Sequence, residues 1–69
     1  MKMSARNMLK GEIVSLEVGA VMASVKIRIG TQEIVTSIIT KDSVTEMGLA
    51  IGDKVFAVVK ATEVMVAKQ

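Results

Sequence analysis

The sequence has no cysteine, histidine, proline, tryptophan or tyrosine, and Phe56 is its one aromatic residue. Disulfides are therefore excluded, and so is a zinc site built from Cys and His. The commonest general base and the strongest nucleophile of enzymes are missing as well. The two aspartates, Asp42 and Asp53, stand at turn or cap positions, and no carboxylate pair is placed for acid–base work. We therefore expect a binding protein and not an enzyme.

The chain is short, with 69 residues, and we expect a single domain over 1–69. A domain of about 60 residues buries only roughly 60% of the surface that its unfolded chain exposes. Such domains gain stability from disulfides, a metal or partner subunits. Since the composition excludes disulfides and a Cys/His metal site, partner subunits are the remaining source of stability. Hydrophobic residues make up 51% of the chain, more than so small an interior needs. We therefore expect a homo-oligomer.

Charge and hydropathy argue against two classes of partner. The formal net charge is +2, and Lys and Arg are spread along the chain without the basic run of a nucleic-acid-binding arm. The N-terminal residues lack the apolar core of a secretory signal, and no stretch approaches the roughly 18 apolar residues of a membrane span. We expect a cytoplasmic protein that binds neither nucleic acid nor a membrane.

Five short segments predict strands, and glycines at 19, 30, 48 and 52 divide the first four of them. In the clearest, 21–29, apolar residues occupy every second position, and the positions between them are polar except for Met22. A turn at Gly30 leads to 33–40, which is rich in β-branched residues and apolar on both faces. A strand that is apolar on both faces needs cover on both, and another subunit is the simplest second cover. The remaining predicted strands are 9–16, 54–60 and 63–67.

A short helical turn is predicted over 43–47, between the third and the fourth strand. Ser43 and Glu46 have the S-x-x-E spacing of a capping box. Gly48 suits the left-handed residue that ends a helix. Three strands, a short helix and two further strands are the element order of a five-stranded OB-like Greek-key barrel, so the predicted class is all-β.

Small polar patches rich in hydrogen-bond donors interrupt the apolar pattern, at 4–7, 36–37, 40–43 and 60–62. A tetrahedral oxyanion offers only acceptors, and hydroxyls, backbone N–H groups, Arg and Lys can all donate to it. Plainer interpretations stay open for each patch. Residues 4–6 suit a solvated terminus equally well, and Thr40 and Lys60 suit ordinary strand ends. Ser43 suits a helix cap.

Three motifs, in this order and at this chain length, resemble those of the molbindins: SARN at 4–7, TSIITKDSV at 36–44 and VVKATEVM at 58–65. Molbindins are small molybdate-binding proteins with a single Mop domain, related to the TOBE domain of transporter ATPases. The resemblance covers nearly the whole chain. It implies an OB-like barrel assembled as a hexamer, a trimer of dimers, that binds molybdate or tungstate between subunits. The implied role is intracellular molybdenum storage or homeostasis, without a catalytic cofactor.

Carried over position by position, the resemblance implies seven oxyanion-binding residues, and molybdenum is bound only as its oxyanion, without a metal site. They are Ser4, Arg6, Thr40, Ser43, Lys60, Ala61 and Thr62. Many relatives carry serine where this chain has Ala61, so only the backbone N–H of that residue remains as a donor.

Two other functions remain open. An OB-type protein that binds nucleic acid stacks bases on exposed aromatic side chains. Phe56 alternates with core-like neighbours and is predicted to be buried, which argues against that function. A purely structural oligomerisation module without any ligand is the second alternative, and oxyanion binding separates it from a molbindin.

Overall fold

A computed structural model describes residues 4–69 and contains four strands, one α-helix and a 3₁₀ turn. The strands form one antiparallel sheet in the order β3-β2-β1-β4. None of the helices in this part of the chain is long and apolar enough to cross a membrane. In chain order the elements are β1 (Asn7–Val18), β2 (Met22–Ile29), β3 (Glu33–Thr40), α1 (Lys41–Met47), β4 (Lys54–Val59) and the 3₁₀ turn (Ala61–Glu63). The predicted order of three strands, a short helix and a further strand is confirmed.

The long strand β1 organises the sheet because it pairs with different neighbours along its length. Residues 7–12 pair with β4 and residues 11–18 pair with β2, so that Gly11 and Glu12 pair on both sides. A bulge shifts the register between Ile13 and Ser15. Bulges bend a strand and increase its twist, which curls this sheet around its core.

The core lies on one face of the curled sheet. Ile13 is its most buried large side chain, with 1% of its surface exposed, and it packs with Val25, Ile27 and Ala57. The alternation predicted for β2 is confirmed, because its buried residues occupy every second position. Partly buried apolar side chains surround this cluster: Leu16, Ile29, Val35, Ile39, Leu49 and Val55.

The helix α1 begins two residues before the predicted turn, and its cap is not Ser43. Thr40 is the N-cap residue, and its Oγ1 accepts a hydrogen bond from the backbone N–H of Ser43 at 3.0 Å. The predicted capping box of Ser43 and Glu46 is therefore wrong. The reason is that α1 follows β3 without a linker, so the hydroxyl at the junction belongs to Thr40. Gly48 ends the helix in the left-handed conformation (φ 61°), as predicted.

The loop after α1 is fixed to the bulge of β1. The backbone N–H of Gly52 donates to the carbonyl oxygen of Ile13 at 2.8 Å, and the N–H of Ile13 donates to that of Asp53 at 3.0 Å. The carboxylate of Asp53 accepts from the N–H of Ala50 at 2.9 Å, in agreement with its predicted turn position. These bonds deliver the chain to β4 alongside β1.

The predicted fifth strand over 63–67 does not form in the described chain. The 3₁₀ turn follows β4 almost at once, and the residues after it are exposed, with Met65 and Val66 each at 93%. This segment pairs with no strand of the sheet. Since β3 pairs with β2 and β4 pairs with β1, each has one edge without a neighbour among residues 4–69. Residues 4–69 therefore do not close the sheet into a barrel.

Three further expectations need correction. The first strand is longer than the predicted 9–16, and β4 ends at Val59, which leaves Lys60 just outside the sheet. Phe56, predicted to be buried, is 43% exposed. It pairs with Lys10 and lies on the face opposite to the buried Ala57, because neighbours along a strand point to opposite sides.

Gly11 has no room for a side chain at the point where β1 meets both neighbours. A Cβ atom there would lie 2.6 Å from Cγ2 of Ile27 and 2.7 Å from the backbone oxygen of Arg28. We expect Gly11→Ala to lower the free energy of unfolding by about 1–3 kcal/mol, the usual effect of overpacking. Urea denaturation at one fixed protein concentration measures this change. Gly19→Ala is the control, because the nearest atom to its Cβ, the oxygen of Met22, lies at 3.1 Å. Equal losses in the two variants would contradict the close approach at Gly11.

Candidate functional site

Five of the seven predicted donors lie together at one end of the sheet. Asn7, the first residue of β1, pairs with Val59, the last residue of β4. Residues 4–6 therefore leave the sheet beside residues 60–62. All five donors are exposed. We call them the Arg6 group: Ser4, Arg6, Lys60, Ala61 and Thr62.

One side-chain hydrogen bond links the two segments that carry the Arg6 group. The amide Nδ2 of Asn7 donates to the carbonyl oxygen of Val59 at 3.2 Å. Lys60 keeps an extended backbone (φ −68°, ψ 139°) beyond the end of β4. Its side chain therefore continues the alternation of the strand, on the same face as the exposed Val58.

The 3₁₀ turn leaves two backbone donors free at its start. The first N–H that the turn uses is that of Glu63, which donates to the carbonyl oxygen of Lys60 at 2.9 Å. The N–H groups of Ala61 and Thr62 precede it and have no partner within the turn. Ala61 thus presents a backbone donor although its methyl side chain can donate nothing.

The charge of the Arg6 group suits an anion. Arg6 and Lys60 supply two positive charges, whereas Glu63 is the one carboxylate in 4–7 and 60–63. Hydrogen bonds from charged donors are roughly twice as strong as neutral ones. Arg adds a planar fork that can bond two oxygens at once, while Lys acts as a point charge.

Thr40 and Ser43, which we call the Thr40 group, lie at the other end of the sheet. Thr40 pairs with Met22 at the start of β2, and the neighbouring Ala23 pairs with Val18 at the end of β1. The 12 residues of β1 lie between the two groups, and at a rise of about 3.3 Å per residue even a bent strand keeps its ends many hydrogen-bond lengths apart. Since a hydrogen bond spans about 3 Å, one oxyanion cannot bond both groups of the same chain.

Within the Thr40 group, the two hydroxyls bond to each other. Oγ1 of Thr40 donates to Oγ of Ser43 at 2.8 Å and accepts from the Ser43 N–H at 3.0 Å. A hydroxyl has one proton, so the donor capacity of Thr40 is used. The proton on Oγ of Ser43 is left for another acceptor, while Thr40 caps α1.

A second polar cluster surrounds Glu12 and did not emerge from the sequence. The carboxylate accepts a hydrogen bond from the ammonium group of Lys54, and it lies 3.6 Å from Nη2 of Arg28. The hydrogen bond and the positive charge of Lys54 hold the pKa of Glu12 below its usual value. Desolvation of the carboxylate raises the pKa in part, and the positive charge of Arg28 lowers it further. The cluster therefore stabilises the sheet at neutral pH, and this contribution is lost as the pH falls through the lowered pKa. Only the strand register, which pairs Glu12 with both cations, reveals it.

Comparison with known proteins gives the family. The TOBE domain model matches residues 3–66 of the chain. The "Probable molybdenum-pterin-binding protein" of Haemophilus influenzae is 47% identical over 66 residues, or 96% of each chain. The chain belongs to the molbindins, within the TOBE domain family.

Solved structures of molbindin-like proteins share the fold. The structure of MopII from Clostridium pasteurianum matches with a TM-score of 0.90 and 46% identity, covering 97% of this chain and 100% of that one. A molybdate-binding protein from Sporomusa ovata matches with a TM-score of 0.92 and 41% identity, covering 99% and 100%. The likeness extends over almost the whole chain.

The two hydroxyls of the Thr40 group make separate predictions for stability. Thr40→Val keeps the side-chain shape but removes the cap acceptor, and we expect it to lower the free energy of unfolding by about 1 kcal/mol. Ser43→Ala leaves the backbone N–H that Thr40 caps, so its effect is expected to be smaller. Urea denaturation of both variants compares them. The reverse order of effects would mean that Ser43 is the cap.

Proposed function

We propose that this molbindin binds molybdate or tungstate in a site shared between copies of the chain, in cytoplasmic molybdenum storage or homeostasis. The observation that carries the proposal is the separation of the Arg6 group from the Thr40 group by the length of β1. The two donor sets meet when the Arg6 group of one chain faces the Thr40 group of another. Relatives and solved neighbours whose names refer to molybdenum-pterin or molybdate support this choice of anion.

The proposed site works by donating hydrogen bonds to all sides of a tetrahedral dianion. Arg6 and Lys60 supply the charge, and the N–H groups of Ala61 and Thr62 supply fixed backbone donors. The other copy contributes the free hydroxyl proton of its Ser43. The hydrogen bond that this hydroxyl accepts from Thr40 fixes its orientation. The hydroxyls of Ser4 and Thr62 complete the set. An interface excludes water and strengthens each of these interactions.

The open edges of β3 and β4 support an oligomer. An apolar groove lies between them, lined by core residues that include Ile13, Val25 and Ile27. Unpaired strand edges accept further strands, and residues 64–66 are apolar and exposed. We propose that residues 63–67 of one chain form the fifth strand on an open edge of another. That pairing carries the adjoining Lys60 to the interface, and the assembly is the hexamer that the resemblance implies.

The nucleic-acid alternative has one point in its favour, because Phe56 is exposed beside Lys10. Binding of single strands combines several stacked bases with a positive groove. Phe56 is the one aromatic residue of the chain, and Glu12 partly neutralises Lys54 and Arg28 nearby. The oxyanion proposal therefore agrees better with the distribution of charge and aromatic groups.

Arg6 tests the anion site directly. We expect Arg6→Ala to weaken molybdate binding at least ten-fold, on the order of the 1.5–3 kcal/mol of a hydrogen bond to a charged group, without unfolding the exposed site. Equilibrium dialysis with molybdate, and with sulfate as the competing anion, gives the affinities. Lys26→Ala, which removes an exposed positive charge in the middle of β2, is the control and should bind as the wild type does. Absence of any oxyanion binding by the wild type at micromolar concentrations would contradict the proposal.

The C-terminal segment tests the oligomer. Met65→Asp with Val66→Asp places two carboxylates where the proposed strand is buried, and charges are costly to bury. We expect the double variant to elute as a smaller species in size-exclusion chromatography with light scattering. Thr31→Asp with Gln32→Asp adds the same charge at the exposed β2–β3 turn and should leave the mass unchanged. An unchanged mass for the first variant would remove the segment from the interface.

A further inference from the structure

We propose that Asn7 is a positioning residue of the oxyanion site, which holds the segment carrying Arg6 against the segment carrying Lys60. This inference rests on the proposed function, because it concerns the same site. The bond that carries it runs from Nδ2 of Asn7 to the carbonyl oxygen of Val59, at 3.2 Å. It joins residues 52 positions apart, at the last register pair before both segments leave the sheet.

The position of Asn7 in β1 is unusual for a polar side chain. Before the bulge, every second residue of β1 shares a face with Ile13, and Asn7 lies on that face and is half-buried. Asparagine is depleted in strands, and this is the one asparagine of the chain. Strand propensity therefore does not account for it, whereas a donor to the Val59 carbonyl does.

The hydrogen bond between Asn7 and Val59 lies at the end of the ladder, where the sheet restrains the chain least. Strand ends fray, because the residues beyond the last pair have no ladder to join. Arg6 and Lys60 lie just beyond it, so their separation depends on how firmly Asn7 and Val59 stay together. A site that is ordered before it binds loses less free energy when the anion arrives. Asn7 therefore acts on affinity through Arg6 and Lys60, without touching the anion.

The neutral amide also fits the electrostatics. An aspartate at the same position could not donate to the Val59 carbonyl when ionised, and it would bring a negative charge beside the Arg6 group. Leucine has nearly the same shape but neither the donor nor the charge. Leucine therefore tests the loss of the hydrogen bond alone, whereas aspartate also tests the effect of a negative charge near the bound anion.

Hydrogen exchange tests the contact without a ligand. In Asn7→Leu, we expect the backbone amides within 4–8 and 58–62 to exchange about five-fold faster, the factor for one hydrogen bond. Amides of β2 and β3 should be unchanged. Gln32→Leu removes an amide from an exposed turn and is the matched control. Unchanged exchange at both strand ends in Asn7→Leu would overturn the proposal.

Calorimetric titration with sodium molybdate tests the effect on the site. We expect about five-fold weaker binding in Asn7→Leu and a larger loss in Asn7→Asp. In an Arg6→Ala background, Asn7→Leu should cause a clearly smaller further loss, because one of the two cations that Asn7 positions is already gone. The same factor in both backgrounds would show a general structural effect and overturn the assignment.

If the wild type binds molybdate and Asn7→Leu binds it equally well, the Asn7 proposal alone fails. If the wild type binds no molybdate, the proposed function fails and this inference fails with it.

Discussion

The double pairing of β1 is the constraint on which the rest of the structure depends. Its first half pairs with β4 and its second half with β2, and the change of neighbour falls at Gly11, where a side chain has no room. The two ends of the same strand also set the positions of the donors. At the start of β1, the pair of Asn7 and Val59 brings Arg6 beside Lys60. At its end, Val18 pairs with β2 next to the residue that pairs with Thr40. The fold therefore separates the two donor groups as a direct result of how its sheet is built.

The same chain is incomplete as a barrel. Two strand edges have no neighbour in residues 4–69, an apolar groove opens onto the core, and the apolar residues 64–66 are exposed. A domain of this size has little interior of its own. We propose that one contact between copies resolves both problems. It covers the apolar surface, and it brings together donors that a single chain holds apart.

The sequence predicted best what depends on local pattern. The alternation of β2, the β-branched run of β3 and the left-handed Gly48 are all present. It failed where the outcome depends on distant neighbours: residues 63–67 have the pattern of a strand but pair with no strand among residues 4–69. The cap was misplaced because Ser43 and Glu46 have the spacing of a capping box, and only the end of β3 shows that Thr40 is the cap. The family motifs predicted the donors, but the division of these residues into two groups required the strand register.

A native mass spectrum recorded with and without added molybdate tests the shared site most directly. The account predicts an oligomer, of six copies in the proposed assembly, that gains mass in steps of one oxyanion. It predicts no anion on the single chain, because each chain holds its two donor groups at opposite ends of the sheet. Monomers that carry molybdate, or an oligomer that takes up none, would contradict it.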